Sequence, residues 1–178
     1  MSLASFFERR CATISSTNTT YEGQTMADEQ AYDNNGGVSE QCDSLGSELM
    51  GEALDKLAAG DALSVVASAI DAAGERVTCE FDDDSAEVCL EAAHDWVKRG
   101  ARAQDGSKVI GKPVCYAIAY QGAVADEGES YQEALILEFG DRGAECGYSA
   151  YSLIDGIGAG KRFRYTDPAP AGELPCLL

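Results

Sequence analysis

A chain of 178 residues, 45% of them hydrophobic, points to one domain with a core of its own rather than to two. Its formal net charge of −18 argues against a nucleic-acid ligand, whose phosphates it would repel. No apolar run reaches the roughly 18–20 residues that a membrane helix needs, so no membrane association is expected.

The seven cysteines are odd in number and none stands in a C-x-x-C spacing. Cys79 and Cys115 sit inside apolar runs, as reduced cysteines acting as small hydrophobes do. The first ten residues lack the apolar stretch of a secretory signal, and a cytoplasmic location is expected. Cys79, Cys89 and Cys115 are expected to be reduced and buried, with Cys11 and Cys176 more accessible.

Along the chain, residues 1–43 read as a disordered tail, rich in Ser, Thr, Asn and Gly and without periodicity. Residues 44–167 read as a single α+β domain, and Pro168, Pro170 and Pro175 make 168–178 an extended C-terminal tail. Ser44 to Ala59 predicts a helix, because Leu45, Leu49, Ala53 and Leu57 form one apolar stripe. Ser44 is its expected N-cap and Gly60 its stop. Alanine content would let Ala62–Ala73 be helical. Val65, Val66 and the alternation Val77, Cys79, Phe81 favour strands instead, and Gly74 suits the turn of a hairpin. Asp84 to Arg102 predicts a second helix, opened by Asp84 with Glu87, with Cys89, Ala92, Ala93, Trp96 and Val97 as its buried stripe. Strands are expected over Val114–Tyr120, Tyr131–Phe139, Cys146–Ile154 and Lys161–Tyr165. The order α-β-β-α-β-β-β-β implies a mainly antiparallel sheet of about five or six strands with the two helices packed on one face.

The near-misses for chemistry are informative. Gly156 to Arg162 resembles a phosphate loop but has Asp155 and Arg162 where the motif needs Gly and Ser or Thr. His94 is the single histidine, and Cys89 lies about 140° from it around a helix, so the two diverge. The Asp82-Asp83-Asp84 run lacks the ligand spacing of a calcium loop, and zinc has neither paired cysteines nor a second histidine to bind it. Neither a metal nor a cofactor is expected, and no convergent catalytic set points to an enzyme.

The charge itself is lopsided. From Met26 to Asp95 there are 18 acidic residues against Lys56 and Arg76. Glu48 and Glu52 on the first helix, with Asp82, Asp83 and Asp84 before the second, would form one negative surface if the helices lay side by side. Such a surface suits a basic protein partner, and a non-enzymatic interaction module of adaptor, inhibitor or accessory type is the leading expectation. The alternative is a small enzyme or ligand-binding domain whose pocket is lined by Tyr116, Tyr120, Tyr148 and Tyr151 on a tyrosine-rich sheet face.

Overall fold

The computed structural model describes residues 37–83, 85–103, 109–125 and 130–178. The expected disorder of residues 1–36 therefore lies outside the described residues. The first helix, α1 (Glu40–Ala59), begins four residues before the expected Ser44, inside the stretch assigned to the tail. Its N-cap is Ser39, whose side chain accepts the Cys42 N–H at 3.1 Å and donates to Asp141 Oδ1 at 2.6 Å. The Ser39 N–H donates to the other carboxylate oxygen of Asp141 at 2.7 Å. A carboxylate distant in sequence thus fixes where the helix starts. The C-terminal stop is as expected: Gly60 is left-handed, with φ of 87°.

Gly60 also lets the chain pass close. A Cβ on it would stand 3.0 Å from the Gly158 Cα, and the Gly158 N–H donates to the Leu57 carbonyl at 2.9 Å. The glycine-rich Gly156–Gly160 segment is therefore a structural turn that satisfies the end of α1.

The predicted hairpin is present as β1 (Val65–Asp71) and β2 (Arg76–Phe81). Asp71 accepts the Gly74 N–H through its carbonyl, and Gly74 has φ of 82°. The Asp71 carboxylate then takes the N–H groups of Ala73 and Glu75, and that of Gly111 at 2.7 Å. The second helix, α2 (Ala86–Lys98), is capped by Ser85 rather than Asp84. Four further strands follow: β3 (Pro113–Ala125), β4 (Tyr131–Asp141), β5 (Gly147–Asp155) and the short β6 (Arg164–Tyr165). A single 3-10 turn, Gly160–Arg162, precedes β6.

The expected C-terminal tail is extended but is not a tail. Ala169–Leu174 forms β7, antiparallel to β5. Among the described residues the sheet therefore has seven strands, in the order β2-β1-β3-β4-β5-β6, with β7 also on β5. Every strand pair is antiparallel, and the fold is α+β.

The helices do not share a face. α1 packs on Val66, Cys115, Ala117, Ala119, Leu135, Leu137 and Phe139. α2 packs on Val65, Ala67, Tyr116 and Ile118. Adjacent residues of one strand point to opposite sides of a sheet, so α1 and α2 cover opposite faces. The amphipathic stripes of two helices say only that each needs an apolar face; a twisted sheet has two to give. On the α1 side, the small residues of β3 let the helix backbone approach, and Leu135, Leu137 and Phe139 of β4 fill the space beyond.

Cys79, Cys89 and Cys115 are buried, as is Cys42, while Cys146 and Cys176 are half-buried. Cys11 lies outside the described residues. On α2, Cys89, Ala93 and Val97 form the buried stripe, and Ala92 is exposed. Trp96 is half-buried at the flank, edge-on to Phe81 with centroids 6.2 Å apart, and its indole N–H donates to the Arg102 carbonyl at 2.7 Å. Trp96→Ala should cost about 2 kcal/mol in urea unfolding, less than the ~3–5 kcal/mol of a fully enclosed tryptophan. A loss above about 4 kcal/mol would show that its flank is closed in solution.

Candidate functional site

The candidate side chains fall into two groups, one on the α2 side of the sheet and one along its β2 margin. The first centres on Glu138 of β4, which is 7% exposed. Register places Glu138 opposite Ile118 and Ser149, so it points to the α2 side. There the Tyr120 hydroxyl donates to Oε1 at 2.9 Å, and His94 Nε2 of α2 lies 2.7 Å from Oε2. With Glu138 as the acceptor, Nε2 carries the proton. His94 is the single histidine of the sequence, but no spacing marks its partner, since Glu138 lies 44 residues away on a strand.

The candidate tyrosines are not gathered into one pocket. Tyr116 and Tyr120 face α2. Tyr148 packs with the α1 cluster, its ring 6.0 Å from Phe139. Tyr151 pairs with Ile136, in the row beyond Tyr120, and shares the α2 side with it. Tyr116 is 1% exposed and is a core residue. A cleft of about 570 Å³ lies elsewhere, at the end of α2, lined by Ala92, Asp95, Trp96, Arg99, Ala101 and Arg102. Two positive side chains edge it, and Arg99 pairs with Asp95 one helical turn back at 2.7 Å.

Burial pushes the Tyr116 and Tyr120 hydroxyls above the ordinary tyrosine range. For Tyr120 the Glu138 carboxylate adds to it, both by its charge and by accepting the hydroxyl proton. A raised phenol favours the protonated form in the folded state, so the unfolded chain releases its protons first as pH rises. The stabilising contribution is complete below about pH 10 and is lost above it. Stability measured by urea unfolding should therefore fall as pH climbs past about 10, and Tyr120→Phe should make that fall shallower. An equally steep fall in the variant would show that Tyr120 is not held protonated.

The second group holds the acidic candidates. Glu48 and Glu52 project from α1 toward β2, where both pair with Arg76, at 3.0 and 3.2 Å. Lys56, one turn further on, pairs with Glu80. Arg76 also donates to the Ser68 hydroxyl, which meets Thr78 Oγ1 at 2.6 Å. Asp82 and Asp83 are exposed just past the end of β2, and Asp84 lies outside the described residues. Six residues of strand separate Arg76 from Asp82, about 20 Å. The acids therefore stand at two stations along one margin, and the single surface expected from side-by-side helices is not how they are arranged.

Among the described residues, no group of three or more His, Cys, Asp or Glu is placed to hold a metal ion. No helix among them is long and apolar enough to cross a membrane. No family model, no curated protein and no solved structure matches this chain.

Proposed function

We propose that this chain is a non-enzymatic interaction module that takes a basic protein partner along its β2 margin. The observation that supports it is the placement of Glu48, Glu52, Asp82 and Asp83, all exposed, beside the last strand of the sheet. A basic segment laid there lowers the self-repulsion of an acidic chain and is steered toward it at low salt. Glu48 and Glu52 share the one guanidinium of Arg76, so this pair of carboxylates keeps net negative charge.

The test separates this margin from bulk acidity. One variant carries Glu48→Gln, Glu52→Gln, Asp82→Asn and Asp83→Asn. A second neutralises four exposed acids elsewhere, Glu133, Asp155, Asp167 and Glu173. Partners captured by the parent from its host at low salt should be lost by the first variant and kept by the second. Equal capture by both variants would reduce the acidity to a solvated surface.

A second reading, a small-ligand or catalytic site on the α2 side, draws on the convergence of His94 and Tyr120 on a shielded carboxylate. It predicts small molecules that raise the melting temperature of the parent but not of Glu138→Gln. The same arrangement serves as a tie between α2 and β4, and then Glu138→Gln changes stability alone.

A further inference from the structure

β2 ends the sheet: among the described residues no strand pairs with it on the side away from β1. The hairpin fixes which of its peptide groups face that side. Asp71 N–H donates to the Glu75 carbonyl, so these two residues form a hydrogen-bonded pair. Antiparallel pairing alternates from there. Val77 and Cys79, opposite Ala69 and Ala67, bond inward to β1, and the peptide groups of Arg76 and Thr78, opposite Ile70 and Ser68, are turned outward.

The other end of the sheet is blunted in the way edge strands are. β6 has two residues, and β7 carries Pro170 and Gly172. β2 has neither proline nor glycine, and the charges it bears, Arg76 and Glu80, are drawn to α1 by ion pairs. An edge left in this state is a template for another strand.

We propose that an extended basic segment of a partner adds to β2 as a further, antiparallel strand; this rests on the interaction-module reading above and gives it a mode. Paired residues of neighbouring strands point to the same face. Residues set opposite Arg76 and Thr78 therefore direct their peptide groups at β2 and their side chains toward Glu48 and Glu52. Those positions take lysine or arginine. The intervening positions turn toward the α2 side, beside buried Val77 and Cys79, and take apolar residues. The recognised pattern is basic and apolar in alternation.

The probe is a short, labelled peptide alternating lysine and valine, titrated into the full chain at low salt. Two relatives carry backbone N-methyl groups, one on every lysine and one on every valine. All three peptides have the same charge. Methylating the lysines removes the N–H groups aimed at β2 and should weaken binding about tenfold or more. Methylating the valines alters groups that face away from β2 and should leave binding within about twofold. Amide exchange of Arg76 and Thr78 should slow when the unmethylated peptide is bound. If both methylated peptides bind as well as the parent peptide, the strand pairing is overturned, and the attraction is one of side-chain charge alone. If the unmethylated peptide does not bind at low salt, the margin does not attract basic segments, and the interaction-module reading fails with it.

Discussion

Tyr116→Ala should destabilise the fold by about 3–5 kcal/mol, the cost of removing a large enclosed side chain and leaving a cavity. Tyr116 is 1% exposed and stands where several elements meet. It lies under α2, and Cys176, Leu177 and Leu178 of the C-terminal segment pack on the same cluster. Two glycines make room for its ring. A Cβ on Gly147 would fall 2.6 Å from the Tyr116 hydroxyl, and one on Gly140 would fall 3.1 Å from it. The cavity cannot collapse easily, because the strands around it are held by their own ladders. Tyr116→Phe should cost only about 1 kcal/mol, since the ring remains and one hydrogen-bonding group is lost. Gly147→Ala should also destabilise, from the opposite cause of overpacking, by about 1–3 kcal/mol. Urea unfolding of the three variants checks the ordering. A loss below about 1 kcal/mol for Tyr116→Ala would mean that the C-terminal segment does not close over it in solution.

The second large effect is expected at Asp141. It is 5% exposed, and both carboxylate oxygens are used by Ser39, one by the backbone N–H and one by the hydroxyl. Removing the carboxylate strips two charge-assisted hydrogen bonds and frees the hydroxyl that caps α1, for an expected loss of about 2–4 kcal/mol in Asp141→Ala. Asp141→Asn keeps one acceptor and should lose less. Ser39→Ala removes the cap hydroxyl but leaves the backbone bond to Asp141, and should cost about 1 kcal/mol. The two substitutions meet in one network, so the double variant should lose less than the sum of the singles. Additive losses would show that Asp141 does not act through the cap.

What the sequence determined by itself was local. The apolar stripe Leu45, Leu49, Ala53, Leu57 and the stop at Gly60 follow from helical period and from the glycine's left-handed freedom. The β1–β2 turn follows from Gly74, and the alternation of Val77, Cys79 and Phe81 follows from the strand period of two. The antiparallel α+β class is the outcome of those elements in that order. Among the candidate site residues, the exposure of Glu48, Glu52, Asp82 and Asp83 was legible for a similar local reason: carboxylates off the apolar stripe of a helix or in a turn stay in water.

The tertiary structure decided everything that depends on pairs far apart in the chain. Val65 through Ala69 are buried on consecutive positions because α1 covers one face of β1 and α2 the other. A strand enclosed on both sides loses its alternation, and this is why 62–73 carries a helical signal beside the strand signal of Val65 and Val66, and why the helices could not be assigned to opposite faces beforehand. The start of α1 was set by Asp141, 102 residues away from Ser39. β7 was hidden by Pro170 and the prolines that flank it, since proline is kept out of a central strand but is tolerated at an edge. The tyrosines were divided by parity: Tyr116 and Tyr120 went to one face of the sheet and Tyr148 to the other. Glu138 met His94 and Tyr120 only through the β3–β4 register and the placing of α2, because a hydrogen bond between distant elements leaves no spacing in the sequence from which to read it.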